Sequence, residues 1–172
     1  MKKSVTSILI CSILILAFSV VSCFSVAEAK KMQTAQQAQK AALKKVPSAK
    51  VIEVESDTED GVLVYEVELY KSGKEYKLEY RASDGKLMKY EWEILNPSSG
   101  NQNKKNLSKQ AIKKKALKQV SNATVLSIAL EHDDGMVQYE VKMHKGNKKY
   151  ELVYNGKTGK LLEYQWKIVT VY

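Results

Sequence analysis

The 172-residue chain has little of what most small exported folds or enzymes rely on. It has two cysteines, two prolines, two histidines, and two residues each of tryptophan and phenylalanine. Both cysteines, Cys11 and Cys23, lie in the first 23 positions. A chain starting at Lys30 holds no thiol, which excludes disulfides, cysteine nucleophiles and cysteine-based metal sites. No serine sits in a nucleophile-elbow context and no glycine-rich loop is built to cradle phosphate, while the carboxylates are scattered rather than paired. These absences argue against an enzyme. At 44% apolar and 27% charged residues, the chain has the composition of an ordinary globular protein that folds without staples.

The one long apolar run is N-terminal. Met1-Lys2-Lys3 is a basic start, Ile8 to Val21 is almost unbroken apolar, and Ala27-Glu28-Ala29 places small residues where a signal peptidase reads. The run is shorter than the roughly 20 residues that a stable span requires. Residues 1–29 are expected to be a signal peptide, cleaved after Ala29, with an uncleaved anchor as the weaker alternative. A second route is open, because Val20-Val21-Ser22-Cys23 resembles a lipobox. A lipid on Cys23 would leave the protein membrane-anchored. Otherwise no transmembrane helix is expected in the mature chain.

Sliding the sequence along itself by 74 positions aligns Thr34–Ile94 with Ser108–Ile168 without a gap. Identities include Asp60/Asp134, Tyr65/Tyr139, Val67/Val141, Leu78/Leu152, Tyr90/Tyr164 and Trp92/Trp166, so the chain is a tandem duplication. Residues 34–94 and 108–168 are expected to be two domains. The stretch 95–107, rich in Asn, Ser and Lys, reads as a polar linker that leaves their relative orientation open.

Within each unit the period changes from helical to extended. Thr34 and Ser108 are N-cap residues; Ala38, Ala42 and Val46, and Ile112, Ala116 and Val120, recur at four-residue steps. Leu107 and Ile112 stand where a hydrophobic staple would place them. A short extended segment follows, Val51–Ser56 or Val125–Leu130, and then three strands of period two. Their expected apolar faces include Tyr65 and Val67, then Tyr76, Leu78 and Tyr80, then Met88, Tyr90, Trp92 and Ile94, with Leu162, Tyr164, Trp166 and Ile168 as the last set of the second copy. The fold class is therefore α+β: two units, each one helix packed on an antiparallel meander. Trp92 and Trp166 are expected in the core, with some tyrosines reaching the rim for their hydroxyls.

These residues resemble the PepSY family. The likeness rests on the alanine-striped opening helix, on Asp60-Gly61 running into Tyr65-Glu66-Val67 and Asp134-Gly135 into Tyr139-Glu140-Val141, and on Asp84-Gly85-Lys86-Leu87 and Thr158-Gly159-Lys160-Leu161 before the last strands. The resemblance implies a module like those in propeptides of thermolysin-type secreted metalloproteases, where such units keep the enzyme inactive and assist its folding. Here such a role would be exerted on a separate enzyme. The family supplies no catalytic residues to carry over and implies no cofactor.

Single residues add little. His132 and His144 have Thr58 and Tyr70 at the equivalent positions of the first copy, and neither has evident metal-binding company. Glu131-His132-Asp133-Asp134 does not have the spacing of a calcium loop. The charge distribution says more: Thr34–Ile94 carries 10 Lys+Arg and 12 Asp+Glu, whereas Ser108–Ile168 carries 12 and 6. Lys113, Lys114, Lys115 and Lys118 on the second helix are the candidate anion-binding patch. Two functions are thus expected to compete. One is an exported, non-catalytic binding protein that regulates an extracytoplasmic protease; the other is an envelope adhesion module holding anionic wall polymer or lipid through the basic second unit. Nucleic acid is not an expected partner of an exported chain.

Overall fold

The computed structural model describes residues 34–101, 103–133 and 135–169. The expected signal peptide, residues 1–29, and Cys23 lie outside the described residues. The first copy comprises α1 (Ala35–Lys45), β1 (Lys50–Glu59), β2 (Val62–Lys71), β3 (Lys74–Arg81) and β4 (Leu87–Ile94). The second comprises α2 (Lys109–Gln119), β5 (Thr124–Asp133), β6 (Met136–Lys145), β7 (Lys148–Asn155) and β8 (Leu161–Ile168).

Local chemistry sets the elements. The Thr34 hydroxyl accepts from the Gln37 amide at 3.3 Å and that of Ser108 from Ala111 at 3.2 Å, so each helix begins at its cap. The helices end at Val46 and Val120, whose amides still donate to Ala42 and Ala116. At Asp60-Gly61 and Ser72-Gly73 both residues have positive φ, the backbone that a two-residue hairpin with right-handed strand twist demands. Ala38, Ala42 and Ala116 are wholly buried, and the absence of longer side chains there lets each helix lie close on its sheet. The core of the first copy joins them to Val67, Leu69, Leu78 and Tyr80; that of the second joins Ile112 to Tyr139, Val141, Met143, Leu152 and Tyr154.

All eight strands form one antiparallel sheet in the order β1-β2-β3-β4-β8-β7-β6-β5. The two copies meet last strand to last strand, with Lys89 to Glu93 pairing Lys167 to Glu163. Glu91 lies opposite Gln165, its own equivalent 74 residues on, so the copies are related by a pseudo-twofold axis through that pair. Tyr90 packs against the first core and Tyr164 against the second. Because Tyr90 pairs with Trp166 and Trp92 with Tyr164, both helices lie on the same side of the sheet.

Several expectations need correction. The first strand of each copy is not a short segment but a full ten residues, and it pairs along the whole of β2 or β6. Bulges at Glu79/Tyr80 and Val153/Tyr154 shift the register by one, which sets Leu87 and Leu161 against the cores and turns Met88 and Leu162 to the other face. Trp92 and Trp166 are half-buried rather than core residues. The helices contact β1 and β2, or β5 and β6, and leave the inner strands, where the tryptophans stand, uncovered.

Between the copies the Leu95 amide donates to the Gly73 carbonyl of the first, whereas Ser98, Ser99, Lys104 and Leu107 are tied to the second. The Asn155 side-chain amide donates to the Ser98 and Ser99 carbonyls, while its oxygen accepts from the Lys157 and Thr158 amides at 3.0 and 2.8 Å. The Leu107 amide donates to the Gly156 carbonyl at 2.7 Å, and the Tyr139 hydroxyl to the Leu107 carbonyl at 2.7 Å. In the first copy Arg81 stands where Asn155 does and clamps its own turn by pairing with Asp84.

Leu78 and Leu152 are equivalent and have no exposed surface. Leu78→Ala and Leu152→Ala should each cost about 2–5 kcal/mol, read as a lowered urea midpoint.

Candidate functional site

The sheet segregates charge. Following the register outward from the cores, every carboxylate carried by a strand, from Glu53 on β1 to Glu163 on β8, points to the face without helices. Neither helix contributes an acidic side chain. Among the described residues the helix-side face therefore carries no carboxylate outside its turns.

On the open face the axis is marked by Gln165, whose amide donates to the Glu91 carboxylate at 2.8 Å. Two glutamates directly opposed there would repel; the second copy has glutamine instead. Lys89 reaches Glu79 at 3.0 Å and Glu91 at 3.3 Å, and Lys77 reaches Glu68 at 2.6 Å. Burial works against the Lys89 charge, but these carboxylates outweigh it and hold the ammonium above its ordinary range.

Beyond the axis Glu93 faces Glu163. Burial, reinforced by Glu91, Glu93 and Glu140, pushes Glu163 up to about 7. Glu151 also rises to about 7, through its hydrogen bond with Glu140 and then through burial. Glu93, Glu163, Asp133, Met136 and Leu162 line a recess of about 390 Å³ beside the 95–99 segment. Such a face can take up protons and present polar contacts; among its described residues no nucleophile stands beside a base.

The helix-side floor is aromatic. Tyr90 stacks on Trp166 at 6.5 Å and 22°, and Trp92 on Tyr164 at 6.4 Å and 16°, as two pairs related by the pseudo-twofold axis. Tyr76 flanks them tilted at 6.4 Å from Tyr90, and Tyr150 edge-on at 6.3 Å from Tyr164. The Lys74 ammonium lies 3.3 Å from the Trp92 ring centre, and that of Lys148 lies 3.3 Å from Trp166. Burial lowers both lysines, with further lowering from Lys160 on Lys74 and from Lys45 and Lys86 on Lys148.

Lys113, Lys114, Lys115 and Lys118 are all exposed on α2. Lys115 is partly committed to packing, since its stem lies over Gly159, where a Cβ would come within 2.6 Å of its Cε. His132 stands near the end of β5 and His144 near the end of β6, both exposed; the register sets His132 opposite Val137 and His144 opposite Thr124, so the two are not brought together. Among the described residues no group of three or more His, Cys, Asp or Glu could hold a metal ion. Sequence reasoning missed the aromatic pairs and Lys74 and Lys148. The alternation of Tyr90-Glu91-Trp92 with Tyr164-Gln165-Trp166 was the signal, but only strand pairing shows that these segments meet.

A family model described as "Peptidase propeptide and YPEB domain" matches residues 33–91 and again 106–165. Among solved structures, a "putative lipoprotein" from Clostridium difficile 630 is 20% identical, with a TM-score of 0.37, over 83% of this chain and 98% of that one. A cysteine-rich secretory protein from Staphylococcus aureus subsp. aureus Mu50 is 9% identical, with a TM-score of 0.38, over 75% of this chain and 42% of that one. No curated protein matches the chain.

The raised carboxylates give stability a pH dependence with a definite sign. Between 4.5 and about 7 the folded chain binds more protons at Glu163 and Glu151 than the unfolded chain does, so stability is greatest below that window and is lost as pH rises through it. Melting temperatures measured from pH 5 to 8 should fall, and Glu163→Gln should flatten the slope.

Proposed function

The chain belongs to the PepSY family, with two tandem domains matched by the peptidase-propeptide model, and from this we propose that it is an exported, non-catalytic binding protein that restrains a separate extracytoplasmic protease. The observation that carries this reading is the open face of the sheet. Eight strands wide and free of helices, it offers the enzyme a broad surface of half-buried glutamates and lysines whose geometry is fixed from beneath by packed cores. Contacts of this kind hold by complementarity rather than by an apolar patch. The inner edges β4 and β8 are used up in joining the copies, so among the described strands the outer edges of β1 and β5 remain for strand addition.

A second reading has one observation in its favour. The four α2 lysines are exposed together on a helix without acidic residues, as an envelope adhesion module holding anionic wall polymer or lipid headgroups would require.

Salt separates the two. The mature chain is fixed to resin, exposed to culture supernatant and envelope fractions of the native organism, and washed at low and high ionic strength. A protease retained at high salt, whose casein hydrolysis is then titrated to loss by added chain, is the expected result; Glu91→Lys with Glu163→Lys should weaken that inhibition by about tenfold or more. Retention of wall or lipid material at low salt only, abolished by charge reversal at Lys113, Lys114, Lys115 and Lys118, would replace this reading with the adhesion module.

A further inference from the structure

We propose that the helix-side floor over the β4–β8 junction is a second binding surface, distinct from the open face, and that its occupant is an acidic amphipathic polypeptide segment with apolar side chains between flanking carboxylates.

The floor is uncovered by construction. The helices pack chiefly over β1 and β2 and over β5 and β6, and the cores reach Leu78 and Tyr80 on β3 and Leu152 and Tyr154 on β7; β4, β8 and the Tyr76 and Tyr150 ends of β3 and β7 are left half-open. β4 and β8 with the adjoining ends of β3 and β7, at about 4.8 Å spacing, make a trough roughly 10 to 19 Å wide, enough for one extended polypeptide. Its base is the two Tyr–Trp stacks, flanked by Tyr76 and Tyr150, all half-buried. Aromatic rings in contact with water on one side are the surface on which apolar side chains gain most by burial.

Charge selects the occupant. Lys74 and Lys148 are partly desolvated, and among the described residues neither has a carboxylate partner; each rests on an indole face that leaves its N–H donors available. Lys45, Lys86 and Lys160 add to the same field, while the strand carboxylates lie on the other side of the sheet. A second copy of this face would bring lysine against lysine, and Lys30-Lys31 of the chain itself carries the same sign. An anionic polymer without apolar groups would satisfy the lysines but leave the rings wet. An acidic segment with apolar side chains satisfies both.

The register also sets a spacing. Lys74 lies level with Ile94 and Lys148 with Ile168, at opposite ends of the β4–β8 ladder. Six residues along the strands and three strand widths across give a diagonal of roughly 24 Å, which seven or eight extended residues span.

The chain reports on this floor by itself, because its only tryptophans are Trp92 and Trp166. The experiment titrates the intact mature chain with a synthetic peptide in which Glu pairs flank alternating Leu and Ser, and follows tryptophan emission. Controls are the same peptide with Gln for Glu, the same with Ser for Leu, and polyphosphate. The expected result is a saturable emission shift with the first peptide, weaker by about tenfold or more with either altered peptide and in Lys74→Gln with Lys148→Gln. Circular dichroism and the melting transition establish that this variant is folded. A Glu91→Lys, Glu163→Lys variant on the open face should bind the peptide at least as well as the parent, which keeps this surface separate from the one proposed for the protease. No emission change with the first peptide overturns the proposal. Equal response to the Leu-free peptide, or a polyphosphate response lost in the double lysine variant, overturns the assignment to an amphipathic polypeptide in favour of an anionic polymer.

Discussion

Antiparallel pairing of β4 with β8 is the contact on which the rest of the molecule depends. Each copy alone is about sixty residues, near the size at which a single core is only marginally sufficient, and its fourth strand would end in unpaired backbone groups beneath half-exposed rings. Joining the copies at those strands satisfies both backbones and stacks each tyrosine on the other copy's tryptophan. It also fixes the relation of the copies, so the residues that face each other across the junction are equivalents or near-equivalents. That symmetry has an electrostatic consequence, seen where Gln165 departs from Glu91 and the pair becomes a hydrogen bond instead of a repulsion.

The same pairing makes two surfaces of opposite character from one sheet. Period-two alternation in every strand sends glutamates one way and rings the other, and antiparallel register keeps that sorting continuous across eight strands. The result is an acidic, proton-sensitive open face and a basic, aromatic trough between two lysine-bearing helices. These two surfaces differ enough in charge and polarity to suit different partners.

Much of this was legible before any coordinates. The 74-residue repeat, both N-caps, the alanine stripes and the change of period locate the helices and most strands, because these signals are local. What escaped was non-local or a matter of one residue. The bulges beside Tyr80 and Tyr154 reverse the facing of Met88 and Leu162, and alternation alone gives no warning of a shift by one. The first strands were underread because the acidic residues after Ser56, from Asp57 to Asp60, look like a turn, whereas pairing to β2 carries the strand on to Glu59. Residues 95–107 have a linker's composition, yet Asn155 holds Ser98 and Ser99, and a single asparagine's hydrogen bonds leave no mark on composition. The tryptophans were assigned to the core on hydrophobicity, which is blind to where a short helix stops covering a wide sheet.

Backbone amide hydrogen exchange, resolved by residue, tests the junction most directly. If β4 and β8 are central strands, amides from Lys89 to Glu93 and from Glu163 to Lys167 should be protected to the degree seen in β2 and β6, and all of these should exchange through one global opening. Exchange of every second amide in β4 and β8 at the rate of the free edges β1 and β5 would mean that the copies are separate four-stranded units. The continuous sheet and the aromatic trough would then both fall.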